Sequence, residues 1–283
     1  MTEGRCASYD GTELAYRTVG QGPLLVCLPG GPGRAAAYLE DLGGLTATRT
    51  LLLLDSRGTG ASAIPADERS YSAESLAGDV EALREHLGLA TLDLLGHSAG
   101  GRVAQVWAAA HPERVGRLVL VTTYLTADGA DEARAQVRQR RAAEPWYAAA
   151  SEAAEGLAYA PAAEKGRLER ELRPFFYGAW TPRAQAHAAS ADTQVAPRAS
   201  SRFHTLTSEA ELRAGLAGVG AAGAPVLVLA GELDALTPPA ASRAIAAAMP
   251  GARLVELPGV GHFPWVDDGP AFASAVESFL SSA

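Results

Sequence analysis

The chain has 283 residues, 48% hydrophobic and 20% charged, with 24 Lys+Arg against 32 Asp+Glu for a formal charge of −8. That suits a globular chain with a large core, and the acidic balance argues against nucleic acid or anionic membrane as a partner, since both need a basic footprint. Two cysteines, Cys6 and Cys27, are too few for a disulfide scaffold, and the six histidines are scattered without metal-ligand spacing.

The first 120 residues alternate strand and helix signals. Residues 5–9 and 13–19, joined across Asp10-Gly11, read as an opening hairpin. Three continuous apolar runs follow at 24–28, 50–55 and 92–95, of the kind carried by parallel strands covered on both faces. Before the third, Leu76, Val80, Leu83 and Leu87 recur at helical spacing, with Ser72 placed to cap the helix and Gly88 to stop it. A fourth run at 118–122 extends a mostly parallel, doubly wound sheet. From 124 to 216 the strand signal stops. Ala/Glu/Arg-rich helical stretches, punctuated by Pro145, Pro161, Pro174, Pro182 and Pro197, carry 9 of the chain's 18 aromatics. The alternation resumes with a strand at 225–230, a helix near 239–248, a strand at 253–257 and a last helix with Phe272, Val276, Phe279 and Leu280 on one face. The expected organisation is one α/β core, 1–123 and 217–283, interrupted by a helical cap at 124–216.

The chemistry concentrates in Gly96-His97-Ser98-Ala99-Gly100, which ends the 92–95 run and opens a helical stretch. A serine between glycines at a strand-to-helix turn is held exposed in a strained conformation, and the helix N-terminus aims unpaired N–H groups at it. A serine hydroxyl needs a base to take its proton and a carboxylate to orient that base. With such a serine these follow in the order acid, then histidine, on loops beyond later strands. Asp234 follows the 225–230 strand and His262 the 253–257 strand, so Ser98, Asp234 and His262 are the expected catalytic residues, with Glu232 a rival acid. The run Pro29-Gly30-Gly31-Pro32-Gly33 ends another strand, and the N–H groups of Gly31 and Ala99 are the expected oxyanion donors, each worth roughly 2.7–4 kcal/mol in such sites.

These residues resemble the α/β-hydrolase family, and within it the proline iminopeptidase branch. That branch pairs a Gly-Gly-Pro-Gly oxyanion loop with a motif that stands here as Asp55-Ser-Arg57-Gly-Thr-Gly-Ala-Ser62. Pro29 occupies the place of the loop histidine, and Ala99 follows the nucleophile where the branch usually has Trp. The resemblance implies the α/β-hydrolase fold, a mostly parallel sheet with an inserted helical cap. It also implies hydrolysis of an amide behind a small N-terminal residue, in a peptide or an aminoacylated small molecule, through an acyl-enzyme. A cap carboxylate would clamp the free amine, with Glu144, Glu152, Glu155, Glu164, Glu169 and Glu171 as the open candidates; some relatives carry Glu after the catalytic Asp, where this chain has Ala235. Aromatics of the cap, Trp146, Tyr147, Phe175, Phe176 and Trp180, are expected at the substrate. Alternatives are a carboxylesterase or lactone hydrolase for a small hydrophobic substrate, and a non-catalytic ligand receptor on the same fold.

Several features have plainer readings. Arg57 is expected in a loop-stabilising ion pair, His97 beside the elbow rather than in the chemistry, and Cys27 as an inert core residue. Gly31-Pro-Gly33-Arg-Ala-Ala36 mimics a dinucleotide fingerprint, with Asp55 about 20 residues on. Pro32, however, removes a donor from the turn that would cradle the pyrophosphate. No cofactor or metal is expected. No apolar run reaches membrane-spanning length and the first residues lack a signal-peptide core, so a cytoplasmic location is expected, with the oligomeric state left open.

Overall fold

Period-two alternation along the buried strands gives the sheet an apolar core on each face. Side chains at odd and even positions of a strand point to opposite sides, so a continuous apolar run can be buried only where both faces are covered. A computed structural model describes residues 2–282. Its strands are β1 (Thr2–Ala7), β2 (Glu13–Gly20), β3 (Leu24–Leu28), β4 (Thr50–Leu54), β5 (Leu92–His97), β6 (Val115–Val121), β7 (Val226–Gly231) and β8 (Arg253–Leu257). They form one sheet in the order β1-β2-β4-β3-β5-β6-β7-β8. The opening hairpin pairs antiparallel with Cys6 opposite Leu14, β2 pairs antiparallel with β4, and all later pairs are parallel.

Helices cover both faces. α1 (Ala73–His86) and α2 (Ala99–Ala110) pack on the face that carries Val26, Leu52, Leu94, Leu118 and Val228. Ser72 caps α1 by accepting the N–H of Ser75, and Gly88 beyond its end takes φ 67°. Between β6 and β7 run α3 (Ala130–Gln139), α4 (Tyr147–Gly156), α5 (Ala162–Leu172), α6 (Pro182–Gln194), α7 (Pro197–Arg202) and α8 (Glu209–Ala221). Prolines open helices here, as their missing N–H allows: Pro182 starts α6 and Pro197 starts α7. The expected cap boundary at 216 falls inside α8, whose Leu212, Leu216 and Val219 join the same core as α2. α9 (Pro239–Ala248), α10 (Pro264–Asp267) and α11 (Gly269–Leu280) complete the chain. On the second face Leu25, Cys27, Leu53, Leu95, Val119 and Leu229 pack with Tyr38, Trp265 and the Phe272 and Val276 stripe of α11.

Arg57 is fully buried. Its guanidinium meets Asp79 of α1 through Nε (2.8 Å) and Nη2, and Asp10 of the hairpin turn through Nη1 (2.7 Å). Strand order reverses between β3 and β5, so the loops leaving their carboxyl ends diverge and open a crevice there. Among the described residues no helix is long and apolar enough to cross a membrane.

Candidate active site

Ser98 sits between β5 and α2 at φ 52°, ψ −119°, a conformation that costs a non-glycine residue about 1–3 kcal/mol. The end of β6 holds it there: the Ser98 N–H donates to the Val121 carbonyl at 3.0 Å, and its own carbonyl accepts the Thr123 hydroxyl at 2.6 Å. Two glycines allow the crevice walls to close on the elbow. A Cβ on Gly30 would stand 2.8 Å from Ser98 Cβ, and one on Gly100 would stand 2.5 Å from the carbonyl oxygens of Leu28 and Pro29. Neither Gly31 nor Ala99 uses its N–H in a hydrogen bond among the described residues.

Asp234 and His262 come together on the loops after β7 and β8. Asp234 is fully buried; Oδ1 accepts the N–H groups of Leu236 (2.8 Å) and Thr237 (2.9 Å), while Oδ2 lies 2.8 Å from His262 Nδ1 and 2.6 Å from the Thr237 hydroxyl. A carboxylate so placed fixes the proton on Nδ1 and leaves the Nε2 lone pair free. Ser98 and His262 line one cavity, and no hydrogen bond joins the hydroxyl to the ring among the described residues. Such bonds are often long before substrate binds. Glu232 points elsewhere, to Arg140 and the Gly259 N–H.

A directional chain ties the crevice walls together. His97 Nε2 is 2.9 Å from the His262 carbonyl, which can only accept, so Nε2 carries the proton and Nδ1 accepts from the Tyr38 hydroxyl at 2.6 Å. The Tyr38 oxygen in turn accepts the Gly30 N–H at 2.6 Å. Burial, reinforced by His262, holds the His97 ring well below the usual imidazole range, and burial pushes the Tyr38 phenol above its own, so both stay neutral. The helical insertion is tethered to the same loop. The His262 N–H donates to the Phe176 carbonyl at 2.7 Å, and Asp267 accepts the N–H groups of Gly178 and Gly261 at 2.8 Å each. Burial raises the Asp267 carboxyl to about 6 despite those donors.

Two cavities open on Ser98. The smaller, about 120 Å³, is lined by Gly31, Arg34, His97, His262, Phe176 and Phe263 among others; the larger, about 820 Å³, is lined by Gly31, Ala99, Tyr124, Asp128, Asp131 and Glu132 among others. Of the aromatics expected at the substrate, Phe176 lines the smaller cavity. Trp146 and Tyr147 instead pack edge-on against Phe175 in a small core of the insertion, and Trp180 lies against Tyr177. None of the six cap glutamates expected as amine clamps lines either cavity. An Ala-rich helix gives a weak apolar stripe, so its sequence does not say which way its few large side chains turn. Arg34, Tyr38, Arg173 and Thr237 are not among the residues expected at the site, for a different reason. Only Thr237, three residues after Asp234, carries a local signal, that of a turn closing on its own carboxylate.

A family model described as the alpha/beta hydrolase fold matches residues 23–268, and the chain belongs to that family. A proline iminopeptidase of Lactobacillus helveticus is 40% identical over 124 residues, 41% of this chain and 42% of that protein, so the chain spans under half the length of that relative. A pimeloyl-[acyl-carrier protein] methyl ester esterase of Chromobacterium violaceum is 31% identical over 273 residues, 95% of this chain and 98% of that one. The solved proline iminopeptidase of Mycobacterium smegmatis superposes with a TM-score of 0.76 at 22% identity, covering 99% of this chain and 97% of that chain, which speaks to the fold alone.

Proposed function

We propose that the protein is a serine hydrolase that cleaves small carboxylic esters through an acyl-enzyme. The observation that carries this reading is the strained Ser98 facing a cavity shared with His262, whose far nitrogen is held by buried Asp234. Ser98 Oγ attacks the ester carbonyl as its proton passes to His262 Nε2, and Asp234 stabilises the imidazolium. The N–H groups of Gly31 and Ala99 receive the oxyanion. The tetrahedral adduct collapses, and the alcohol leaves with the proton from His262. Water then attacks the acyl-enzyme with the same imidazole as base, releasing the acid and restoring Ser98.

The ester reading is favoured over the amide by the charge of the smaller cavity. Its charged side chains are the guanidinium groups of Arg34 and Arg173, which would repel a free α-ammonium. It is also supported by the full-length likeness to a methyl ester esterase. A second reading, hydrolysis of an amide behind a small N-terminal residue, draws on the larger cavity, where Asp128, Asp131 and Glu132 outnumber Arg134.

A fluorophosphonate should label the wild type once, at Ser98, and Ser98→Ala should lower ester turnover by about 10⁴-fold or more. Equal labelling of both proteins would defeat the assignment of Ser98, and no labelling of either would leave the ligand-receptor alternative. A panel of Pro-, Ala- and Gly-anilides beside acetate and butyrate esters separates the two substrate readings. Anilide turnover that vanishes when the amine is acylated would put the amide reading ahead of the ester.

A further inference from the structure

Among the described residues five arginines are buried: Arg34, Arg49, Arg57, Arg102 and Arg141. Four have a carboxylate partner: Arg49 meets Glu277 at 2.8 Å, Arg57 meets Asp10 and Asp79, Arg102 meets Glu209 at 2.7 Å, and Arg141 meets Glu144 at 3.3 Å. Arg34, 4% exposed, has none among the described residues. Its Nε donates to Gln194 Oε1 (3.0 Å) and its Nη2 to the His187 carbonyl (3.1 Å) and Ser190 Oγ (2.9 Å), all neutral acceptors. The guanidinium lies 4.3 Å from the centroid of the Tyr38 ring, and Nη1 makes no hydrogen bond among the described residues. A guanidinium cannot shed its charge to escape burial, so it stands in a low-dielectric site with its counter-ion missing. That site is the smaller cavity beside Ser98, where Arg173, paired with Asp192, also lines the wall and no carboxylate does among the described residues.

We infer that Arg34 is a specificity-determining residue that pairs with a carboxylate at the far end of the substrate's acyl group. The inference deepens the ester-hydrolase reading and rests on it. The cavity that holds both Ser98 and Arg34 is also lined by Phe176, Ala191, Val195 and Phe263, which suit methylenes. A cavity of about 120 Å³, well under that of the larger one, restricts the chain to a few carbons. The favoured substrates are therefore half-esters of short dicarboxylic acids. The acyl part belongs in the smaller cavity because it must stay bound through both half-reactions. The alcohol can depart, and water arrive, through the cavity of about 820 Å³.

The test compares monoethyl glutarate with ethyl pentanoate, and monoethyl adipate with ethyl hexanoate, by kcat/KM at low salt and neutral pH. The acid member should win each pair by tenfold or more. Arg34→Gln should bring the acid-to-neutral ratio near one, and Arg34→Lys should recover part of it. The preference can also be read from the protection that each ester, in excess, gives Ser98 against a neutral fluorophosphonate. This needs only the wild type, so the outcome does not depend on a variant that folds. A wild-type ratio at or below one in both measurements overturns the inference while leaving a serine hydrolase. Failure of the fluorophosphonate to modify Ser98 overturns the hydrolase reading underneath it.

Discussion

Arg57 and Arg34 are both buried and both follow a strand end in a glycine-rich run, yet their surroundings differ in kind. Around Arg57 burial works against the charge, but the hydrogen bonds and charges of Asp79 and Asp10 outweigh it and hold the guanidinium above its ordinary pKa. Around Arg34 burial dominates and lowers the pKa, with only neutral acceptors in reach. The Arg57 cluster is complete, and it staples the opening hairpin to α1. The Arg34 site is incomplete and faces the cavity at Ser98. A buried charge whose partners are all present speaks for architecture, and one whose partner is missing speaks for a ligand.

The largest expected effect falls on the complete cluster. Asp79→Ala leaves a buried guanidinium with only the half-exposed side of its pairing, through Asp10, and should cost about 3–5 kcal/mol in urea denaturation. The folded enzyme should keep its acid-to-neutral ester ratio, because nothing in that cluster lines either cavity. A ratio that moved with Asp79, or an Arg34→Gln variant as destabilised as Asp79→Ala, would erase the distinction between the two regions.

Acid should perturb the cavity region first. His187 Nε2 donates to the Tyr38 carbonyl at 3.0 Å, so Nδ1 accepts the Tyr177 hydroxyl at 2.8 Å, and the ring is satisfied only when neutral. Burial, followed by the charge of Arg34, lowers it to about 4, whereas an unfolded histidine titrates near 6.5. Between those values the unfolded chain binds more protons than the native one. The contribution of His187 is therefore full above pH ~6.5 and is lost as pH falls toward 4. Asp267, raised to about 6 by burial, acts in the opposite direction, since its native form holds the extra proton between pH ~4 and 6. Replacing His187 by Gln isolates the first of these. Between pH 7 and pH 5 the variant should lose about 2 kcal/mol less stability than the wild type in urea denaturation. Parallel losses would mean that the ring beside Arg34 accepts a proton freely.

Much of this arrangement is legible in the chain because its signals are local. Ser98 and Asp234 follow continuous apolar runs of buried strands, His262 follows the more exposed edge strand β8, and strand ends on one side of a parallel sheet converge. The Arg57 pairing is legible as an ion pair, though not its partners, which lie 47 and 22 residues away. Arg34 is hidden inside a glycine-rich run that mimics a dinucleotide fingerprint, and its significance lies in a carboxylate that is absent, which no sequence pattern records. Tyr38 and His97 meet across 59 residues, and Phe176 reaches the cavity while its neighbour Phe175 turns into the insertion's own core. Those outcomes are set by tertiary packing, to which composition and periodicity are blind.

The smallest expected effect separates orientation from charge at a single side chain. Tyr38 serves both: its ring lies beneath Arg34, and its hydroxyl links the Gly30 N–H to His97 Nδ1, and through that ring to the carbonyl of His262. Tyr38→Phe keeps the ring and removes the link. Without it His97 Nδ1 loses its donor and the Gly30–Gly31 loop loses one anchor, so the ring that donates to the His262 carbonyl is held at one end only. The expected result is a fall in kcat of roughly tenfold, or about 1.4 kcal/mol of barrier, with KM and the acid-to-neutral ratio unchanged. A collapse of the ratio in this variant would assign selectivity to the shape of the Tyr38 pocket rather than to the Arg34 charge. An unchanged kcat would reduce the hydrogen-bond chain to packing. The loss of kcat alone would mean that alignment of the imidazole and recognition of the acyl terminus are carried by different atoms of one residue, and can be altered independently.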